Sequence, residues 1–136
     1  MGKKYRILSE KNVYSLPKED YLTAVHYALR YPLWVEELRT AADTGSAIRY
    51  DREKVQTSIS GDPTSDTAIR MAEVASKINM IDDIIKKVAA GVDNYLRMGV
   101  CYGLTFDQLK AKGIPCERDA YYLRRRRFYY ELSKRI

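Results

Sequence analysis

A chain of 136 residues, 46% hydrophobic and 31% charged, holds one domain, or one small domain with a helical extension, with a real core under a well-solvated surface. No apolar run approaches the roughly 20 residues of a membrane span, and Cys101 and Cys116, the only cysteines, form neither a metal-type pair nor a disulfide framework. The net charge of +6 is concentrated, with nine basic and four acidic side chains in residues 101–136 against fifteen and fourteen in residues 1–100, and such a local surplus favours nucleic acid over a small acidic substrate.

Residues 1–15 show no sustained period and are expected to form a mobile or loosely docked arm. No apolar segment follows their opening basic residues, so no signal peptide is expected. Ser15-Leu16-Pro17 ahead of Lys18-Glu19-Asp20 predicts a helix start, with Pro17 at an early helical position and acids in the first turn. Tyr21, Leu22, Val25, Tyr27, Ala28 and Leu29 recur at helical spacing until Tyr31-Pro32 interrupts. Leu33, Trp34, Val35, Leu38 and Ala41-Ala42 then predict a second helix, ending near Gly45. Residues 43–65 read as a linker around Gly61-Asp62-Pro63, with Val55 to Ser58 a short extended piece lacking a partner strand.

The longest helix is predicted over residues 64–90, capped by Thr64, Ser65 and Asp66 and stopped by Gly91. Along it Met71, Val74, Ile78, Ile81, Ile85 and Val88 alternate at spacings of three and four, an a/d seam of about two and a half heptads. This seam is the candidate for self-association into a homo-oligomer. It falls short of the three to four heptads that argue coiled coil alone, so packing on the N-terminal helices of the same chain is the other reading.

Val92 to Tyr102 predicts a further helical piece with soft points at Gly99 and Gly103. Thr105 with Gln108 three residues on is a capping box, and Leu104 ahead of it is a hydrophobic-staple candidate for Leu109. Lys112-Gly113-Ile114-Pro115 then predicts a tight corner: glycine for the left-handed turn, isoleucine to plug the angle, proline to set up the next start. Cys116 falls at the predicted N-cap, with Glu117 and Asp119 in the first turn. Capped short helix, corner and basic helix in that order form a helix-turn-helix that presents its second helix to the DNA major groove.

The second helix carries Arg124, Arg125, Arg126 and Arg127 in succession, framed by Tyr121, Tyr122, Phe128, Tyr129 and Tyr130. On a helical wheel Tyr121, Phe128 and Leu132 share the core face, Asp119, Tyr122, Leu123 and Arg126 lie roughly opposite, and Arg118 and Arg125 fall on the flank. Arg118, Asp119, Tyr122 and Arg126 are therefore the expected groove-facing residues. Arg124, Arg125, Arg127, Lys134 and Arg135 suit phosphate contacts, and Thr105, Gln108, Lys110 and Lys112 are the expected backbone contacts from the first helix. The competing reading of the arginine run is a solvated face or a tail for RNA or acidic lipid; membrane binding is disfavoured, because tyrosines opposite the arginines are needed by the core.

Catalysis finds little material. His26 is the single histidine, adjacent acids such as Glu36-Glu37 and Asp82-Asp83 point about 100° apart on a helix, and no Gly-Lys-Ser or Gly-Lys-Thr loop exists. The expectation is a non-enzymatic protein without cofactor or metal. Its expected fold is all-α, with an N-terminal helical pair and loop (1–61), a long central helix and connecting helix (62–103) and a C-terminal helix-turn-helix (104–136).

Several pieces, in order, resemble the phage and prophage transcriptional regulators of the ArpU and RinA type. They are Tyr27-Ala28-Leu29-Arg30-Tyr31-Pro32, Tyr50-Asp51 with Val55-Gln56-Thr57-Ser58 and Gly61-Asp62, Ala68-Ile69-Arg70, and Ile114-Pro115-Cys116 leading to Phe128-Tyr129-Tyr130. The likeness runs from about Tyr21 to Leu132. It implies an all-helical cytoplasmic protein with a sigma-70 region-4-like helix-turn-helix, which binds promoter DNA and activates late phage genes by touching host RNA polymerase. Base reading would then fall on Arg118 to Arg126. No counterpart of sigma region 2 is present, so the resemblance implies a regulator rather than a complete sigma factor. Two other functions fit the same layout: an oligomeric DNA-packaging subunit like a small terminase, and a protein adaptor whose basic helix takes an acidic partner.

Overall fold

The computed structural model describes residues 13–42 and 61–136. The expectations for residues 1–12 and for most of the 43–65 linker, including Val55 to Ser58, lie outside the described residues. Among the described residues the fold is all-α, with no strand. Its helices are α1 (Lys18–Ala28), α2 (residues 31–42), α3 (Gly61–Val88), α4 (Asp93–Tyr102), α5 (Phe106–Ala111) and α6 (Arg118–Ser133).

Three boundaries differ from those the sequence predicts. Pro17 is the N-cap of α1 and stands just outside the helix, with Glu19 and Asp20 in the first turn. The break between the first two helices falls at Leu29-Arg30, and Tyr31-Pro32 opens α2; proline fits an early helical position, where its missing N–H has no partner to lose. For the same reason Pro63 sits inside the first turn of α3, which begins at Gly61.

Packing divides the chain into two compact units, one of the residues up to Tyr31 with Ile81–Ile136, the other Pro32–Met80. In the latter, the Arg70 guanidinium grips the Glu37 carboxylate through both oxygens, at 2.7 and 3.1 Å. That hydrogen-bonded cation holds the Glu37 carboxyl below its ordinary range. Beside it the Lys77 ammonium stands 5.4 Å from the ring centroid of the buried Trp34.

In the first unit α6 is the element on which the others converge. It packs most extensively on α1, whose buried face is Ala24, Val25 and Ala28. Alanines four residues apart share a face and let two helix backbones approach closely. From α6 come Tyr121, Phe128, Tyr129 and Leu132, all buried, and the Tyr21 and Tyr129 rings meet edge-on at 5.4 Å. Leu96, Val100 and Cys101 of α4 and Phe106 and Leu109 of α5 complete this core. Its polar tie is Asp82, which accepts from the Tyr31 hydroxyl at 2.8 Å and from Arg97 Nε at 3.1 Å.

The seam on α3 meets the chain's own core. Val74, Ile81, Ile85 and Val88 are buried, with Ile84 beside them, while Met71 and Ile78 are half-buried.

Candidate nucleic-acid interface

The connection from α4 to α6 follows its local chemistry closely. Thr105 Oγ1 accepts the Gln108 N–H at 3.2 Å and Gln108 Oε1 accepts the Thr105 N–H at 2.8 Å, closing the capping box. Gly113 takes φ 97°, a left-handed conformation that a side chain would strain, and its N–H bonds the Lys110 carbonyl at 3.0 Å. Ile114 is buried at the corner. The N-cap of α6 is Glu117, one residue later than Cys116, and it makes no side-chain cap hydrogen bond. Its backbone is extended (ψ 165°), and Asp119 is the acid of the first turn.

The expected DNA-contacting side chains fall into three groups. Lys110, Lys112, Arg118 and Asp119 are exposed, as are Thr105 and Gln108, whose polar atoms are engaged with each other. Arg118 pairs with Asp107 of α5 at 2.9 Å and stacks 4.9 Å from the Phe106 centroid, a link between the two helices. The second group is turned back into the protein. Arg124 Nη1 donates to the Val88 carbonyl at 3.4 Å, and Arg127 lies 5.9 Å from the Tyr14 centroid, its buried Nε without an acceptor among the described residues. Arg125 lies between Tyr122 and Tyr129, 5.6 and 5.4 Å from their centroids.

Arg126 forms the third group. It is half-buried and makes no hydrogen bond or ion pair among the described residues. It shares the outward stripe with Asp119 and Leu123, the latter 45% exposed although apolar. Tyr122 sits at the edge of that stripe, 6.4 Å from Phe106 and 5.4 Å from Tyr121.

Sequence reasoning sets Arg126 toward the groove and Arg124, Arg125 and Arg127 toward phosphate, and it misses two things. Arg125 comes four residues after Tyr121 and four before Tyr129, so it shares the buried stripe with both. Its apolar stem and flat guanidinium pack on rings, so a charged residue fits in a largely buried stripe. Leu123 was legible as outward-facing, but nothing in its spacing marks it as functional.

Among the described residues no cluster of histidine, cysteine or acidic side chains is arranged to hold a metal, and no helix is long and apolar enough to cross a membrane. Comparison of the chain with models of known protein families, with curated proteins and with solved structures finds no match.

Proposed function

We propose that this protein is a DNA-binding transcriptional regulator of the phage type, reading promoter DNA with α5, the Gly113 corner and α6 as a sigma region-4-like helix-turn-helix. The observation that carries the reading is the outward stripe Asp119–Leu123–Arg126, which follows directly on a capped short helix and lies in the segment with the charge surplus. Arg126 supplies a guanidinium with no hydrogen bond or ion pair among the described residues, suited to the O6 and N7 edge of guanine. Lys110 and Lys112, exposed on and just after α5, supply phosphate contacts that fix the register. Arg118 serves there too, once its exposed pair with Asp107 is exchanged for a phosphate.

Arg124, Arg125 and Arg127 are given a smaller part than the sequence suggests, because they are occupied within the fold. Activation of late genes and contact with host RNA polymerase belong to this reading through the family resemblance. Self-association through the α3 seam does not, since four of its six residues are already buried in the chain.

The test is selection of bound duplexes from a randomised pool by the full chain. Enrichment of one sequence, lost with Arg126→Ala, is the expected result. A pool that stays random through repeated rounds would sink the proposal.

A further inference from the structure

A cavity of about 220 Å³ opens between α1, α4, α5 and α6, lined by both apolar and polar groups. Val25 and Leu29 close it from α1, Phe106 from α5, and the rings of Tyr121, Tyr122 and Tyr129 from α6. Gly99 and Val100 form the α4 wall, with Gly103 just after the helix. Into this ring-lined space comes one charged side chain, Arg125, with no carboxylate among the lining residues. The two carboxylates of α6, Asp119 and Glu131, are not among the lining residues, and Glu131 is paired with Lys87 at 3.1 Å. Arg125 is hydrogen-bonded to the Tyr129 side chain and stacked on two rings, contacts that fix the fork in place without cancelling its charge.

A cation held among aromatic rings, with no carboxylate beside it among the described residues, is a site prepared for an anion. The space sets the anion's size: a cavity of about 150 Å³ takes benzene, so the volume here takes one aromatic ring and a carboxylate. Flat tyrosine and phenylalanine faces suit an aromatic ring, and the planar fork suits a carboxylate. We propose that this pocket binds a small aromatic carboxylate, its two oxygens on the Arg125 guanidinium and its ring among Phe106, Tyr121 and Tyr122. The site meets the outward stripe of α6 only at Tyr122 and stands whether or not the protein binds DNA.

The test is a two-dimensional amide NMR titration of the full chain with benzoate, phenylacetate and 4-hydroxybenzoate, with benzamide as the uncharged isostere and chloride as the ionic-strength control. The Gly99 and Gly103 amides, which line the pocket, should shift saturably with at least one of the acids. Benzamide should bind roughly tenfold or more weakly, the loss expected when a charge-assisted hydrogen bond is removed. Arg125→Gln should lose the acid binding to the same degree. Absence of a saturable shift at both glycines with all three acids overturns the proposal, and so does equal binding of benzamide and benzoate. The comparison of acid with amide needs only the wild-type chain, so it decides the matter even if the variant fails to fold.

Discussion

Four consecutive arginines carry the same charge, and their separate surroundings predict that they do not act alike. Arg125 is stacked on two tyrosine rings, each such contact being worth about 0.5–1 kcal/mol at partly exposed sites. Arg125→Ala should therefore cost roughly 1–2 kcal/mol in urea unfolding. Arg126→Ala should leave stability within about 0.5 kcal/mol of the parent and weaken a selected duplex by about 1–3 kcal/mol. The reverse pattern would mean that the two side chains have been assigned to the wrong faces. Gly99 offers a second residue-scale test. A Cβ there would lie 1.8 Å from the Tyr121 hydroxyl oxygen and 3.0 Å from its Cζ. Tyr121 is only 2% exposed, so making room means turning its ring out of its packing toward the cavity it lines. Alanine in place of a helical glycine ordinarily gains up to about 1 kcal/mol, but overpacking of about 1–3 kcal/mol wins here. Gly99→Ala should lower the melting temperature, and Tyr121→Phe in the same chain should recover part of the loss. Additive losses would show that the two residues do not touch.

Among the elements, α5 is the most dependent on a single side chain. With six residues it is too short to hold itself, and the Thr105–Gln108 box satisfies donors at its start. Thr105→Ala should cost about 0.5–2 kcal/mol in chemical denaturation, with early exchange of the α5 amides; unchanged exchange there would rule out the cap as the element's support. This box and the Gly113 corner were readable because they are local, a matter of three or four neighbouring residues and one φ. The buried stripe of Tyr121, Phe128 and Leu132 was readable for the same reason, since period alone places it. What periodicity does not convey is which neighbour covers a stripe. The α3 seam at Val74, Ile81, Ile85 and Val88 has the same spacing whether it meets a second copy or its own chain. Arg125 escaped for a different reason: a charge inside an aromatic stripe contradicts the usual rule until its stem and rings are placed in space.

At the scale of the molecule, burial makes a prediction about alkaline pH. Desolvation pushes the Tyr129 phenol up to about 12, against the opposing charge of Arg125, and the Cys101 thiol up to about 12. Both groups are neutral when protonated and are buried in that form, so the folded state holds protons that the unfolded chain releases. Their stabilisation is whole below the unfolded values, near pH 9 for the thiol and pH 10 for the phenol, and is lost as pH rises toward 12. Melting temperature should fall steeply above about pH 9, and the Cys101 thiol should resist a thiol reagent until the chain unfolds. A flat stability profile from pH 8 to 11 would contradict the burial of these groups.

The charge surplus is the other property of the whole chain, and it carries the functional proposal. Fluorescence anisotropy of a labelled duplex, titrated with the full chain over a salt series, tests it most directly. Exposed Lys110, Lys112, Arg118 and half-exposed Arg126 as the phosphate and base contacts predict a log-log salt slope of about −2 to −4, at roughly −0.9 per phosphate engaged. Lys110→Ala should make that slope about one unit shallower. Binding that is absent at low salt, or whose slope is the same after Lys110→Ala and Lys112→Ala together, would contradict the assignment of this face to DNA.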